Sequence, residues 1–416
     1  MTILPDDCFL HDRDRLKHDE ALALIHERLR CVVGAERIAL DGAAGRVLAE
    51  PVIAPRPVPG HDNAAVDGYA YRWSDTEPDE GRPVAARIAA GDKAEPLRAD
   101  HAARIFTGAP MPEGADTVAM QEDCILDGDR VRLPMLKQGA NRRRAGEDVA
   151  KGERVAVSDQ RLRPQDLAAI ASTGTTDIAV RELLRVALIS TGNELLQPGE
   201  PFRHGGVYDS NRVMLRTILE GWHARVTDGG HLADSAEATE RTLKEAAHGH
   251  HVVVTSGGAS RGDEDHILGA LDRLGTRHLW QLAVKPGRPM LMGQIGDCIV
   301  IGLPGNPVAA MVCALLYVRP ILALLEGATP YTPRRYPLHA AFSIKSKPDR
   351  REFLRGHIEG IGRNARIHKF ARDGSGLITG LRKADGLIEV PETTTRVAEG
   401  DIIEFLPFTE FGVSAG

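Results

Sequence analysis

The sequence has few aromatic residues and no excess of positive charge. Aromatic side chains make up 4% of its 416 residues, so few rings are present to stack on nucleic-acid bases. Asp and Glu number 58 against 52 Lys and Arg, which gives a net charge of −6. Non-specific nucleic-acid binding needs a positive field that such a chain does not supply. Nucleic acid is therefore not an expected partner.

The sequence also lacks paired cysteines and an uninterrupted apolar run of membrane-spanning length. The five cysteines are scattered and include no CxxC pair, so we expect reduced, mostly buried thiols of a cytosolic protein. The longest apolar stretch, 308–325, is interrupted by Arg319 and Pro320 and falls short of a spanning helix. The N-terminal segment shows no secretory signal pattern. We expect a soluble, cytoplasmic protein with no membrane partner.

The length of the chain and the pattern of its first half predict more than one domain. A chain of 416 residues is too long for one ordinary core, so two to four domains are expected. Helical spacing predicts a first helix over 19–30, and four prolines between 51 and 59 predict an extended connection. Short runs at 84–88, 102–106 and 131–133, separated by glycine and proline, predict a small β-rich domain.

From about residue 183 the chain alternates between buried strands and helices. Apolar runs at 184–190, 251–256 and 298–303 each end in a glycine turn and precede a helical pattern. This repetition predicts an α/β layer fold with a mostly parallel sheet, in which ligands bind beyond the carboxyl ends of the strands. After residue 331, short alternating strands predict a compact β-barrel of about 85 residues.

Two glycine loops with neighbouring acids follow the first two of these strands. They are Ser190–Glu194 and Thr255–Asp265. Glycine lets the backbone approach a ligand, exposed amides hold phosphate oxygens, and a carboxylate beside them can hold a metal. An acidic helix start would explain the second loop equally well, because Asp and Glu suit the positive end of the helix dipole. Two such loops at neighbouring strand ends favour a ligand site.

Two further loops have features of anion binding. Lys285–Pro289 presents two cations on a loop stiffened by two prolines, which suits an oxyanion, although a simple basic turn is the alternative. In Leu303–Val308, Asn306 is predicted to be the N-cap of a helix and Pro307 to lie in its first turn. A helix N-terminus that faces a cleft binds anions, but a well-formed helix start needs no ligand.

Three charged segments give weaker signals. The acidic loop Asp62–Ala70 has the composition of a solvated turn, and Arg142–Asp148 has that of an exposed ion-pair loop. The histidines between His248 and His251 suggest a metal site, but they precede a buried strand, at the end of the sheet away from the glycine turns. A native metal site at these histidines is not the favoured interpretation.

Taken together, these segments resemble the molybdopterin molybdenumtransferase family, which includes bacterial MoeA and the E-domain of gephyrin. The resemblance covers nearly the whole chain, and so many ordered matches are specific although no single one would be. The matching strings are PGHDNAAVDGYA at 59–70, FTGAPMPEGADTV at 106–118, RAGEDV at 144–149, STGNEL at 190–195, YDSNR at 208–212, TSGGASRGDEDHI at 255–267, VKPGRP at 284–289 and LPGNPV at 303–308.

The resemblance implies a homodimer of elongated, multidomain protomers of the α/β plus β class. A three-layer α/β domain with a mostly parallel sheet would bind molybdopterin, and the active cleft would lie between it and the β-rich domain of the other subunit. The expected boundaries are 1–54 with 153–182 for a discontinuous linking domain, 55–152 for the β-rich inserted domain, 183–329 for the α/β domain and 330–416 for the C-terminal β-barrel.

The implied reaction inserts molybdate into adenylylated molybdopterin and releases AMP with the help of Mg²⁺. Carboxylates suit metal-bridged phosphoanhydride cleavage, and the soft pterin dithiolene takes the molybdenum, so no protein cysteine is needed. The implied catalytic residues are Asp67, Asp148, Glu194 and Asp265, of which Glu194 and Asp265 would also bind the metal. The implied substrate-binding residues are Thr107, Ser190, Thr191, Gly192, Asp209, Asn211, Asp234, Ser256, Gly257, Gly258, Lys285, Pro304, Pro307, Arg355 and Ser375, with Lys285, Arg355 and Ser375 on the oxyanion.

The sequence departs from the family pattern at two positions. Gln281 stands where the family often has a basic residue, so one cation is missing from the implied cleft, and Ala233 leaves only Asp234 where some members have paired acids.

One alternative to the implied function is a paralogue of the family that is specific for tungstate or catalytically degenerate. A gephyrin-like scaffold is another, which the lack of an appended adenylyltransferase domain argues against. Molybdopterin adenylyltransferase and molybdoenzyme chaperones are further expected partners.

Overall fold

The computed structural model describes residues 15–75, 81–232, 235–258, 266–287, 289–329, 332–372, 374 and 376–413. The chain forms two units. The larger takes in the described parts of Met1–Glu36, Gly45–Ala49 and Val180–Gly416, and the smaller takes in those of Arg37–Ala44 and Glu50–Ala179. The strands Ala35–Ala39 and Asp177–Arg181 lie where the chain passes from one unit to the other.

A six-stranded mixed sheet forms the centre of the smaller unit. Gly68–Tyr71 lies between Thr117–Met120 and Ala102–Ile105, both antiparallel to it, and Arg82–Ile88 pairs in parallel with Ala102–Ile105. Much of its core consists of fully buried alanines, so the strands and loops approach closely. This sheet agrees with the predicted β-rich region. The unit's other elements are the sheet strands Ile125–Asp127 and Arg130–Arg132, the pairs Val52–Ile53 with Arg154–Ala156 and Asn63–Ala64 with Arg142–Arg143, and the helix Pro164–Ser172.

A second six-stranded sheet forms the α/β part of the larger unit. Four neighbouring strands run parallel, in the order Arg225–Leu232, Arg185–Thr191, Val252–Ser256 and Cys298–Leu303. Two more strands extend the sheet. Pro289–Ile295 pairs antiparallel with Cys298–Leu303, and Thr276–Gln281 pairs antiparallel with Pro289–Ile295. The mostly parallel sheet predicted from the sequence is thus confirmed. The antiparallel addition follows from a two-residue turn between Ile295 and Cys298, because so short a connection joins only antiparallel strands.

Helices cover both faces of this sheet, which gives the predicted three layers. Successive residues of a strand point to opposite faces, so Val186 and Leu188 pack on one side and Ala187 and Ile189 on the other. All four are at most 2% exposed. A strand buried on both faces therefore has a continuous apolar sequence. The helices Ser210–Gly221 and Pro307–Leu325 lie on the first face, and Ala236–Gly249 and His266–Leu274 on the second.

The helix Pro307–Leu325 corrects one expectation from the sequence. Arg319 and Pro320 do not interrupt it, because a π turn at Ala314–Val318 precedes the proline and the helix continues beyond it. By length and composition alone, these 19 residues could cross a membrane. However, 89% of their most apolar window is buried inside the fold, as in the core helix of a globular unit.

Five strands of the C-terminal region close into a barrel, as predicted. Arg351–Glu359 pairs with both Arg366–Lys369 and Gly386–Val390, and Tyr336–Ala340 and Ile402–Pro407 complete the ring. Val284–Lys285 adds a short strand parallel to the start of Arg351–Glu359, so the loop that follows Lys285 is anchored on the barrel. The remaining elements are the first helix His18–Arg28, the helix Ile378–Arg382, and the paired strands Leu195–Leu196 with Val207–Tyr208 and Ile344–Lys345 with Arg396–Val397.

The four described cysteines are free thiols in different surroundings. Cys298 and Cys313 are buried, and burial raises the pKa of each thiol to about 12, so both stay protonated and unreactive. Cys124 is partly buried and Cys31 is exposed. The expectation of mostly buried thiols is therefore met at two of these four positions.

Candidate functional site

The carboxyl ends of the parallel strands carry a row of buried polar side chains. Ser190 and Ser256 are neighbours across two strands, with 0% and 3% of their surface exposed. Asn211, in the first turn of the next helix, donates from Nδ2 to Ser256 Oγ at 3.0 Å and to the Gly305 carbonyl at 2.7 Å. One amide group therefore joins this helix start to two strand ends.

Three oxygens along this row have no hydrogen-bond partner among the described residues. They are Ser190 Oγ, Asp209 Oδ2 and Asn211 Oδ1, all on side chains that are at least nine-tenths buried. The second carboxylate oxygen of Asp209 caps the following helix by accepting from the Arg212 amide at 3.0 Å. A buried polar atom left unpaired costs about 1–3 kcal/mol, so this edge is suited to a polar ligand.

Glu194 lies on a tight turn directly after the strand Arg185–Thr191. Gly192 in that turn has a φ of +135°, which disfavours residues with a side chain. A Cβ atom on Gly192 would lie 2.5 Å from a carboxylate oxygen of Glu194. The Gly192 carbonyl accepts from the Leu195 amide at 3.1 Å and from His231 Nε2 at 2.7 Å. The turn thus places an exposed carboxylate against bare backbone.

The second glycine turn packs against the first. Gly257 and Gly258 have φ values of +93° and +79°. A Cβ atom on Gly257 would lie 2.7 Å from Thr191 Oγ1. The Gly257 amide donates to the Leu303 carbonyl at 3.0 Å. The absence of a side chain at Gly257 is what lets these neighbouring strand ends approach so closely.

A cavity of about 320 Å³ lies between the α/β part and the barrel of the larger unit. Pro304 and Asn306 line it beside the loop that begins at Lys285. Asn306 is the N-cap residue and Pro307 opens the helix, as predicted, but the Asn306 side chain makes no capping hydrogen bond within the described structure. The barrel contributes Phe353, Arg355, Lys369 and Phe370.

The two predicted oxyanion cations in this cavity differ in their surroundings. The Lys285 side chain is 46% exposed, and its Nζ lies 3.2 Å from Glu352 Oε2. Arg355 is 7% exposed and donates to the carbonyls of Leu377 at 3.0 Å and Arg372 at 2.8 Å. Arg355 therefore also holds the barrel's own loops, whereas Lys285 faces the cavity from a single short strand.

In the smaller unit, the structure brings Asp67 and Thr107 together. Asp67 Oδ1 accepts from the Thr107 amide and from Thr107 Oγ1, both at 2.8 Å. These two hydrogen bonds hold the pKa of the exposed Asp67 carboxyl below its usual value, so Asp67 is ionised at neutral pH. Asp148 is exposed, and its backbone amide donates to the Val58 carbonyl at 3.1 Å.

Asp62, the first residue of the acidic loop Asp62–Ala70, also contacts the charged segment Arg142–Asp148. Its Oδ1 accepts from the Ala145 amide at 2.8 Å, and its Oδ2 lies 3.5 Å from Arg142 Nε. The ion pair agrees with the interpretation of Arg142–Asp148 as an ion-pair loop. Asp62 therefore orders the segment that contains Asp148.

Within the described parts of the chain, no three His, Cys, Asp or Glu residues are grouped closely enough to hold a metal ion by themselves. The histidine cluster makes separate backbone contacts, with His250 Nδ1 bonded to the Ala246 carbonyl at 2.8 Å and His251 Nδ1 accepting from the Arg185 amide at 3.0 Å. Mg²⁺ usually takes one or two carboxylates and completes its shell with water and substrate phosphates. The exposed Glu194 carboxylate fits that role.

Several predicted residues lie outside the described residues, namely Asp234, Asp265 and Ser375, and so does the side chain of Gln281. Nothing in the sequence pointed to Lys369, which lines the cavity, or to Glu352 and Arg350, which form a group of ion pairs with Lys285. Lys369 lies on the strand Arg366–Lys369, where its charge gave no local signal. Glu352 approaches Lys285 only through the pairing of strands 67 residues apart, which local sequence patterns do not reveal.

The fold and this site define a multidomain α/β protein with a polar edge on its parallel sheet and a basic cavity against a barrel. Three family models match successive parts of the chain. They are the MoeA N-terminal region (domain I and II) at residues 16–174, a probable molybdopterin binding domain at 187–324 and the MoeA C-terminal region (domain IV) at 337–408.

Named relatives are similar over nearly the whole length. A molybdopterin molybdenumtransferase of Haemophilus influenzae is 35% identical over 396 residues, 94% of this chain and 98% of the relative. Molybdopterin molybdenumtransferase 2 of Mycobacterium tuberculosis is 33% identical over 389 residues, 89% of this chain and 95% of the relative. The crystal structure of a molybdopterin biosynthesis MoeA protein from Pyrococcus horikoshii has a TM-score of 0.82 at 29% identity, covering 95% of this chain and 100% of that one.

The chain belongs to the molybdopterin molybdenumtransferase family, whose members are transferases of molybdenum cofactor biosynthesis. The resemblance stated from the sequence motifs is confirmed, and so is the predicted fold class.

Proposed function

We propose that this protein inserts molybdate into adenylylated molybdopterin and releases AMP in a Mg²⁺-dependent reaction. The observation that carries the proposal is the row of three buried, unpaired oxygens on Ser190, Asp209 and Asn211 at the ligand-binding edge of the sheet. A pterin offers ring N–H and amino donors that would satisfy such oxygens. The glycine turns beside them would accommodate the phosphate groups, because bare backbone amides bind oxyanions.

The pterin and its phosphates would be bound along this edge of the larger unit. At the first two strand ends, the ligand would lie close to the backbone of four residues, namely Thr191, Gly192, Gly257 and Gly258. Pro304 and Pro307 would shape the third strand end, where the helix Pro307–Leu325 begins. Ser256 and Asp234 also belong to the proposed substrate-binding set of the larger unit, with Asp234 outside the described residues.

Four carboxylates would serve the phosphoanhydride cleavage, namely Asp67, Asp148, Glu194 and Asp265, the last outside the described residues. Glu194 and Asp265 would hold Mg²⁺, which supplies charge neutralisation for the phosphate oxygens when bound. Thr107 would keep Asp67 oriented and ionised through the two hydrogen bonds to Oδ1. An exposed carboxylate such as that of Asp67, whose pKa lies below its usual value, is suited to this work at neutral pH.

Synthesis of molybdenum cofactor in vitro tests the proposed function. Purified protein is mixed with adenylylated molybdopterin and molybdate, with and without Mg²⁺, and AMP and active cofactor are measured. We expect both products to form and to depend on Mg²⁺. Binding of the adenylylated pterin with neither product, at any concentration of molybdate and Mg²⁺, would contradict the proposal.

Lys285, Arg355 and Ser375 would hold the molybdate oxyanion, with Ser375 outside the described residues. Changing Lys285 to Ala should raise the molybdate concentration needed for half-maximal AMP release about tenfold, the scale of one lost charge-assisted hydrogen bond. Arg355→Ala should raise it too, and should also lower the melting temperature, since two backbone carbonyls lose their donor. Pterin affinity should stay largely intact, and its collapse would assign these cations to the pterin instead.

We further propose that the protein works as a cytoplasmic homodimer. Ile125 and Leu126, on an edge strand of the smaller unit's sheet, are 64% and 60% exposed. Exposed apolar residues on a sheet edge are typical of a surface that is covered in an assembly. Light scattering at micromolar concentration should give twice the mass of the chain, and a monodisperse monomer would refute the prediction. Molybdopterin adenylyltransferase and molybdoenzyme chaperones are proposed as partners before and after the reaction.

A further inference from the structure

Glu352 is a buried carboxylate that two cations share. Its Oε2 accepts from Lys285 Nζ at 3.2 Å, and its Oε1 accepts from Arg350 Nη2 at 2.7 Å and Nε at 3.1 Å. The Glu352 side chain is 5% exposed, against 46% for Lys285. Lys285 lines the cavity beside the barrel, and Glu352 stands behind it. Any influence of Glu352 on a ligand in the cavity would therefore act through Lys285.

The backbone holds both ends of this ion pair in register. Lys285 and Glu352 are partners in the short parallel ladder between Val284–Lys285 and Arg351–Glu359. The Arg351 amide donates to the Ala283 carbonyl at 2.8 Å, which secures the same ladder. The carboxylate is thus a rigid anchor, whereas the lysine on the other side has a long, flexible stem.

The charges around Glu352 leave a positive balance toward the cavity. Burial alone would raise the pKa of Glu352, but the hydrogen bond from Arg350 and the ammonium of Lys285 together bring it below its usual value. Glu352 is therefore ionised at neutral pH. One carboxylate between two cations leaves one net positive charge, so Arg350 offsets the carboxylate and this group of three still attracts an anion.

We propose that Glu352 is a positioning residue that holds the Lys285 ammonium at the cavity wall, ready for the oxyanion, while Arg350 offsets the charge of the carboxylate. The proposal rests on the proposed function, in which Lys285 binds molybdate. An ammonium has three N–H donors, so one bond to Glu352 leaves two for the anion. Holding the side chain in place beforehand lowers the conformational entropy lost when the anion binds.

The variant Glu352→Asp tests this proposal because it keeps the charge and withdraws the carboxylate by one methylene. We expect the molybdate concentration for half-maximal AMP release to rise roughly three- to tenfold, the cost of ordering one long side chain. The maximal rate at saturating molybdate should change little. In a Lys285→Ala background, Glu352→Asp should add nothing, since the residue acts only through Lys285. Calorimetric titration with molybdate should likewise show weaker binding to Glu352→Asp than to the unmodified protein, and no further loss when Glu352→Asp is added to Lys285→Ala.

Glu389→Asp is the matched control. Glu389 lies on the neighbouring barrel strand. Its side chain is also 5% exposed, and its carboxylate is likewise shared by two arginines, Arg335 at 2.7 Å and Arg351 at 2.9 Å. The variant Glu389→Asp should lower the melting temperature as much as Glu352→Asp does, but it should leave the molybdate requirement unchanged. An equal shift in both variants, or an undiminished effect of Glu352→Asp without Lys285, would overturn the proposal in favour of a structural role.

The Lys285→Ala variant separates this proposal from the function on which it rests. If Lys285→Ala raises the molybdate requirement and Glu352→Asp does not, the positioning role of Glu352 fails and the proposed function stands. If Lys285→Ala leaves the molybdate requirement unchanged, the oxyanion assignment of Lys285 fails, and the positioning role fails with it.

Discussion

Changing Asp67 to Asn, or Glu194 to Gln, is expected to lower the rate of AMP release by a factor of about a hundred or more and to leave the fold intact. Each substitution keeps the shape of the side chain but removes the charge that a hard cation and a phosphoanhydride need. A hundredfold loss is the scale expected when metal-mediated charge stabilisation of the transition state is removed. Asp265→Asn belongs to the same series.

The structure indicates why these variants should fold. Asp67 uses Oδ1 for both hydrogen bonds from Thr107, and the Oδ1 of an asparagine can accept the same two bonds. Glu194 is exposed, and its carboxylate lies against Gly192, where an amide of the same size fits equally well. Neither change leaves a buried group unpaired, so the melting temperature should move little.

Measuring thermal stability and AMP release on the same variants separates a catalytic role from a structural one. Asp129→Asn is the control, because Asp129 is an exposed acid of the same unit as Asp67. Among the described residues, only its backbone carbonyl forms a hydrogen bond, with the Val84 amide. We expect Asp129→Asn to behave as the unmodified protein in both measurements. Lowered stability with normal specific activity in the Asp67 or Glu194 variants would remove the catalytic assignment.

The sequence was a good guide to three parallel strands that are buried on both faces. The predicted runs at 184–190, 251–256 and 298–303 correspond to the strands Arg185–Thr191, Val252–Ser256 and Cys298–Leu303 within one residue. Such strands have no polar face, so their apolar sequences are continuous and end where the backbone leaves the core. The glycine turns at those ends were predicted for the same reason.

The edge of the sheet was not predictable in this way. The strand Arg225–Leu232 is mostly exposed and contains Asp228, Gly229 and Gly230, a composition typical of a turn. The structure gives the reason for one glycine, because a Cβ atom on Gly229 would lie 2.6 Å from Ile189 Cγ1 in the neighbouring strand. Tertiary packing, rather than local preference, thus makes this segment a strand.

The residues of the candidate site likewise include some that the sequence could indicate and others that only the fold brings together. Residues on the glycine turns, such as Ser190 and Glu194, could be singled out because strand ends and loops are visible in the sequence. The pair Asp67 and Thr107 is separated by 40 residues, and Lys285 and Glu352 by 67. Only the register between strands brings such partners together, and register depends on the whole fold. The family resemblance pointed to Asp67, Thr107 and Lys285, but nothing in the sequence pointed to Glu352.

Replacing Gly192 by Ala is expected to lower AMP release between about tenfold and a hundredfold by displacing Glu194. The added Cβ would lie 2.5 Å from one carboxylate oxygen of Glu194 and 2.7 Å from the other, too close for either to remain. The carboxylate is the end of a flexible side chain, so it can move aside at little cost in stability. The φ of +135° adds about 1–2 kcal/mol of backbone strain for a residue with a side chain.

Gly205→Ala distinguishes the displacement of Glu194 from backbone strain, because Gly205 is in the same connection and has a φ of +78°. Apart from its chain neighbours, no described atom lies within 4 Å of a Cβ added there. Both alanine variants should lower the melting temperature by a similar amount, and only Gly192→Ala should lose activity. Combining Gly192→Ala with Glu194→Gln should cost no more activity than Glu194→Gln alone, since both changes act on one carboxylate. If the two losses multiply, Gly192 supports catalysis by another route, such as the approach of its backbone to the substrate. If Gly205→Ala loses as much activity as Gly192→Ala, the strain of the connection is responsible and the placement of Glu194 is not.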